Sequence, residues 1–237
     1  FLTAFGNDIY ANELRTSCAE LGMDISDAVY TELPTSTYLY ITDETGEMQL
    51  AVCDTDVADS IDETYLRSKL EVLNQAALVI FDGNLTEGSV QFLSENVTAP
   101  LFADPVSSKK AQRLRGVLPK LHTFKPNDIE AMHLTETETP EDAARALVAM
   151  GMKRVFVSCG GNGIIAAEGE QMIHLPCEKT EIVNTTGGGD ASMAALAWSF
   201  TQGLSLEQSA RAALKAGAIA VSAEETIAPD MAPERLL

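Results

Sequence analysis

Short apolar runs rich in β-branched and aromatic residues alternate with longer amphipathic stretches along most of this chain, and that alternation limits the fold more than any other feature. Residues 2–5 read as a strand closed by Gly6, and residues 8–21 repeat apolar positions at helical spacing until Gly22 stops them. Further strands are predicted at 77–81, 100–103, 122–124 and 155–158, with helices at 62–75, 86–96, 107–118 and 140–150 between them. Parallel neighbours need a crossover, so strands interleaved with helices predict an α/β fold whose mostly parallel sheet is covered on both faces. Two hairpins break the alternation. One joins 37–41 to 48–53 through the turn Asp43-Glu-Thr-Gly46, and the other joins 164–167 to 172–175. Ser205, with Gln208 three residues on, opens a last long helix that runs to about Ala223.

With 237 residues, 46% of them hydrophobic, the chain can bury a core, and one domain spanning 1–237 with the hairpin at about 37–53 is expected. Sixteen basic residues against 35 acidic ones give a net charge of −19, which excludes a nucleic-acid backbone or an anionic membrane as an expected partner. Cys18, Cys53, Cys159 and Cys177 are widely spaced without a CxxC pair, so reduced thiols and a cytoplasmic setting are expected rather than zinc or disulfides. No apolar run approaches the roughly 20 residues that cross a bilayer. The chain opens on Phe1 inside what reads as a strand, and a segment upstream of it is expected.

The stretch that carries chemistry is Asn184-Thr-Thr-Gly-Gly-Gly-Asp190 and the helix-forming run behind it. Gly187, Gly188 and Gly189 let the backbone turn tightly and approach a ligand, and the helix that follows delivers free N–H groups and a positive dipole end, a place for a phosphate. Asp190 in the same turn can accept a proton from an attacking hydroxyl while the N–H groups take up charge on the transferred group. The plainer alternative is Asp190 as an ordinary N-cap.

In such sheets ligands bind beyond the carboxyl ends of the strands. Asp104, residues 125–130, residues 158–163 and residues 187–190 each follow a predicted strand, so four segments converge on one crevice. Asn127 and Glu130 share a helix face and suit a hydrated magnesium ion, or simply form a capping box. Lys125 either neutralises phosphate charge or is a solvated lysine. Ser158, Gly160 and Gly163 form a turn that borders a ligand or enters a hairpin. Asp104 either polarises the site or caps a helix. His122, His133 and His174 lack metal or triad spacing, and Trp198 is expected in the core.

Thr185, Thr186 and the Gly187–Asp190 turn resemble the C-terminal signature of the ribokinase-like (PfkB) carbohydrate kinases, with Gly188 where alanine is usual. That resemblance implies a three-layer α/β/α ribokinase-like fold with a small β lid, and ATP and Mg2+ as cofactors. It assigns Asp190 as the base and Gly187 to Gly189 as the anion site. Lys125, Asn127, Ser158, Gly160 and Gly163 then lie toward the nucleotide, with Asn127 and Glu130 toward magnesium. Thr35-Ser-Thr-Tyr38, Thr45-Gly-Glu-Met48, Asp104-Pro-Val-Ser107, His122-Thr-Phe-Lys-Pro-Asn127 and residues 226–230 are similar to the matching pieces of the pseudouridine kinases within that family. The implied reaction is ATP-dependent phosphorylation of the pseudouridine 5′-hydroxyl, with Thr37 and Asp104 toward the nucleoside and the lid hairpin covering its sugar. Asn184 and Thr186 match positions near a monovalent-cation (K+) loop, and a homodimer is compatible. The family's Gly-Gly motif and sugar-gripping aspartate would precede Phe1. Other acceptors within the family (ribose, fructose, adenosine) and a non-catalytic nucleotide or sugar sensor remain alternatives.

Overall fold

The computed structural model describes residues 1–42, 48–177 and 179–236. The first part of the chain contains β1 (Ala4–Phe5), α1 (Ile9–Glu20), β2 (Val29–Tyr30), β3 (Thr37–Thr42), β4 (Met48–Asp54), α2 (Glu63–Ser68) and α3 (Leu70–Gln75). Next come β5 (Val79–Asp82), α4 (Glu87–Asn96), β6 (Leu101–Asp104), α5 (Ser108–Ala111), β7 (Thr123–Phe124), α6 (Asp128–Thr135) and α7 (Pro140–Ala149). The chain closes with β8 (Arg154–Ser158), β9 (Ile164–Glu168), β10 (Gln171–Leu175), α8 (Gly188–Thr201) and α9 (Leu206–Val221).

Six strands form one sheet in the order β10-β9-β8-β7-β6-β5. β5 to β8 run parallel, and β9 and β10 close one edge antiparallel. Side chains alternate across a strand, and here the alternation divides two cores. Leu101, Ala103, Val155, Val157, Ile165 and Ala167 face the layer that holds α4, α6 and α7. Phe102, Phe156, Ile164 and Ala166 face Met193 and Leu196 of α8 and Leu206, Ala210 and Ala213 of α9. Both faces are therefore covered, which explains why β8 reads as an unbroken apolar run.

Two predicted helices are interrupted. The stretch 62–75 breaks at Lys69, whose ammonium lies 2.6 Å from Asp27 and over the Tyr65 ring, an anchor at the junction of α2 and α3. The stretch 107–118 is only one α-helical turn, followed by the 3-10 turn Gln112–Leu114. Ala111, Leu114 and Val117 are all buried and three residues apart, a spacing that three residues per turn satisfies and 3.6 does not.

β3 and β4 pair antiparallel from Thr37↔Asp54 to Ile41↔Leu50, and the expected turn at Asp43 to Gly46 lies outside the described residues. The ribbon is tied down at its base. Asp8, the N-cap of α1, accepts the Thr35 N–H and hydroxyl, both at 2.7 Å, and these bonds hold its carboxyl below the usual carboxylate range. Beyond that anchor, Leu39, Ile41, Leu50 and Val52 are exposed.

His122 is stacked on Phe102 at 5.4 Å and meets Phe200 edge-on at 4.8 Å. Burial, aided by the nearby Lys153 and Arg154 charges, pushes its imidazole down to about 4. The native state therefore takes up this proton later than the unfolded chain, and stability present above the ordinary histidine range is lost as pH falls toward about 4. His122→Phe is expected to weaken that acid sensitivity, read as unfolding midpoints at pH 7 and pH 4.5. Equal acid losses in the two proteins would refute the assignment.

Candidate active site

The site assembles where the parallel strands end. Asp82 and Asp104 are register partners at the ends of β5 and β6. One residue past β7, the Lys125 N–H continues the ladder to the Ala103 carbonyl at 3.1 Å, which sends its side chain back across the strand ends. That side chain is buried, and its Nζ lies 2.8 Å from Asp104 Oδ2. Asp104 Oδ1 accepts the Val106 N–H at 2.9 Å. Lys125 is therefore not a solvated lysine, and Asp104 binds a cation instead of capping α5, whose N-cap is Ser107.

α8 approaches from the other side of the crevice. Gly187 precedes it with φ 89°, a left-handed conformation, and a Cβ there would stand 2.6 Å from the Thr226 carbonyl oxygen. The first turn of α8 carries no side-chain cap, so its N–H groups have no side-chain acceptor. A Cβ built on Gly189 would meet Lys125 Nζ at 3.5 Å, so the glycine turn and the buried ammonium face one another. Asp190 is the third residue of α8 and not its cap, which sets aside the N-cap alternative. Its carboxyl reaches solvent at the floor of the crevice, yet the protein around it raises its pKa. Loss of water contributes most, Asp104 and Asp82 add to the rise, and Lys125 opposes it.

Gly188 is packed, not loose. A Cβ there would lie 2.8 Å from Val221 Cγ1 at the end of α9, and a Cβ on Gly217 would lie 2.8 Å from Ser192 Oγ. Ser192 Oγ also lies 2.9 Å from the carbonyls of Gly188 and Ala213, so α8 and α9 are locked at a contact that only small residues permit.

Asn127 and Glu130 form the capping box in full, with Glu130 N–H to Asn127 Oδ1 and Asn127 N–H to Glu130 Oε2 both at 2.8 Å. Burial raises the Glu130 pKa, the Asn127 N–H opposes the rise, and Asp104 reinforces it. Among the described residues no group of three or more His, Cys, Asp or Glu side chains is arranged to hold a metal. The pair is thus built for helix capping, and could help hold a metal only alongside water and ligand oxygens. Ser158 is tied to the same loop, through its N–H to the Pro126 carbonyl at 3.0 Å and a parallel bridge with Asn127. Gly163 has φ 97°, with the Leu175 carbonyl oxygen 1.9 Å from any Cβ, whereas the space beside Gly160 is open.

Four of the expected segments are therefore joined, through the Asp104–Lys125 pair, the Lys125–Gly189 approach and the Asn127–Ser158 bridge. Thr37 stands exposed at the head of β3, its hydroxyl donating to the Thr35 carbonyl at 3.3 Å, apart from this network. Asp82 escaped the sequence reading, although it ends a strand just as Asp104 does. Trp198 is only partly buried, and with Gly187, Asp190, Ala194, Ala220 and Thr226 it lines an apolar cavity of about 600 Å³.

Comparison with known proteins agrees with this geometry. The pfkB family carbohydrate kinases match residues 1–233. The chain belongs to that family. Pseudouridine kinase of Escherichia coli is 33% identical over 97% of this chain and 76% of its own length. Ribokinase from Thermotoga maritima superposes with a TM-score of 0.89 at 21% identity, covering 100% of this chain and 79% of its own. A candidate Ribokinase II of Escherichia coli in complex with ATP and Mg2+ superposes with a TM-score of 0.82 at 19% identity, over 95% of this chain and 77% of its own. The layers described above are thus the three-layer α/β/α ribokinase-like fold, and this pfkB member is an ATP-dependent sugar or nucleoside kinase.

Gly188→Ala, which installs the residue more usual in the family signature, is expected to lower stability by about 1–3 kcal/mol through overpacking. Val221→Ala should restore part of that loss in the double variant, as a positive coupling in a thermal-unfolding cycle. Simple additivity would show that Val221 does not dictate the glycine.

Proposed function

We propose that this kinase transfers the terminal phosphoryl group of ATP to the 5′-hydroxyl of pseudouridine. The observation that carries the phosphotransfer part is Asp190, held in an uncapped helix turn opposite a buried lysine. The pseudouridine part is supported by the relative that is 33% identical over 97% of the chain.

On this reading Asp190 accepts the proton of the 5′-hydroxyl. A raised pKa brings a carboxylate closer to the operating pH, where a general base is most effective. The N–H groups of Gly188 and Gly189 and the Lys125 ammonium stabilise charge on the transferring group. Ser158, Gly160 and Gly163 border the nucleotide, for which the space beside Gly160 leaves room. Asn127 and Glu130 would help hold Mg2+, and the ion would supply charge neutralisation for the phosphates. Asp104 lies toward the nucleoside and holds the Lys125 ammonium in place. The β3–β4 ribbon, starting at Thr37, covers the sugar, and its exposed Leu39, Ile41, Leu50 and Val52 suit contact with a second copy in a homodimer. The Asn184 to Thr186 turn, closed by the Thr186 N–H to Asn184 Oδ1 bond at 2.9 Å, is where a monovalent cation such as K+ would bind. Cys18, Cys53 and Cys159 as thiols accord with a cytoplasmic setting.

Asp190→Asn is expected to cut turnover by about 10²–10⁴-fold while ATP binding persists. It should also raise the melting temperature, because a native pKa above the unfolded value means that the ionised carboxylate costs stability near neutral pH. An unaltered rate would remove Asp190 as the base. A panel of pseudouridine, ribose, fructose and adenosine fixes the acceptor.

The neighbours of Asp190 give a second test. The acidic limb of kcat/KM should move up in Lys125→Met, which loses the opposing charge, and down in Asp104→Asn, which loses a like charge. Limbs that stay fixed or move the other way would show that another group sets the profile.

A further inference from the structure

Among the described residues, Val106 and Glu136 are the non-glycine residues with positive φ, at 66° and 59°. Glu136 is the left-handed C-cap of α6, a position where that conformation is common. Val106 sits in no cap, and a β-branched residue is the least suited to this region. The Ser107 N–H donates to the Pro105 carbonyl at 2.7 Å, which makes Val106 the centre of a γ-turn of the rare, strained hand.

The strain is held in place from two sides. The Val106 N–H is bound to Asp104 Oδ1 at 2.9 Å, and the Pro105 carbonyl is pressed against Gly83, where any Cβ would lie 2.4 Å away. The outcome is a valine left 44% exposed, two residues beyond the carboxylate that binds Lys125. Such strain costs on the order of 1–3 kcal/mol and concentrates at functional sites. Asparagine or glycine would fit the turn at lower cost, but neither offers a stiff apolar surface.

The topology indicates what that surface meets. The Ser158 to Gly163 turn lies between β8 and β9, while β5 and β6 lie toward the opposite end of the sheet. Asp190 faces Asp82, Asp104 and Lys125, at the ends of β5, β6 and β7. With the nucleotide over the β8–β9 side, the acceptor enters over β5 and β6, and the loop that follows β6 carries the exposed Val106.

We infer that Val106 is a specificity-determining contact, packing its isopropyl group on the flat heteroaromatic base of a nucleoside acceptor while the sugar is presented to Asp190. This inference rests on the phosphotransfer reading above and extends it to a residue with no part in the chemistry. A free pentose has no base and gains nothing from Val106.

The test compares Val106→Gly with the unmodified protein, using ATP with pseudouridine or with D-ribose, the latter as acceptor or as competitive inhibitor. Glycine occupies φ 66° without strain, so the fold should persist. KM for pseudouridine is expected to rise about tenfold, the scale set by losing a small apolar contact, with kcat within about twofold. The ribose constant should not change. Constants that move together, or do not move, would make Val106 structural only and overturn the inference. Val106→Asn also tolerates the turn and replaces the apolar surface with an amide, so the same selective loss is expected from it should the glycine variant fail to fold. If the unmodified protein phosphorylates no nucleoside, the proposed acceptor class fails and this inference with it. If it turns over pseudouridine and both variants keep its KM, only the role of Val106 fails.

Discussion

The ion pair between Lys125 and Asp104 is the contact on which the crevice depends. An ammonium with its side chain 4% exposed has few routes to water, and a carboxylate 2.8 Å away compensates for the lost hydration. Breaking such a pair from one side typically costs about 3–5 kcal/mol, because the remaining charge is stranded. The pair does more than balance itself. It fixes a positive charge beside the glycine turn of α8, binds the loop after β6 to the loop after β7, and sets the field in which Asp190 titrates.

That field is a balance between opposing effects. Loss of water and two neighbouring carboxylates favour the protonated form of Asp190, and Lys125 favours the ionised form. In the role proposed for Asp190, a base for an alcohol must be ionised yet willing to take a proton, and a raised pKa is in the direction of that compromise. The same arrangement costs the native state stability at neutral pH, so the proposed role and stability pull in different directions at this residue.

Close approach of backbones accounts for the glycines. Gly187 must be left-handed, Gly188 must leave room for Val221, and Gly217 must leave room for Ser192. Together they let α8 lie against α9, with its first turn beside the Lys125 ammonium. A sequence shows three successive glycines but not which neighbour each one avoids. A Cβ at position 188 would meet Val221, 33 residues away in the chain and on another helix.

The layered α/β architecture was legible in the residues themselves, because strand alternation and helical spacing are local properties that burial on two faces of a sheet enforces. The cap at Ser205 was legible for the same reason, since it answers the unpaired N–H groups of its own helix, and the glycine turn was legible as three successive residues without a Cβ. Breaks at Lys69 and Gln112 were not, as they follow from an ion pair to Asp27 and from burial three residues apart. Spacing alone left Asn127 with Glu130 ambiguous between cap and ligand, left Lys125 ambiguous between neutralising phosphate charge and being solvated, and gave no sign that Val106 is strained. Those choices depend on which groups the sheet brings together across long separations in the chain. Periodicity fixes which way a side chain faces, but only the packed fold determines what it meets there.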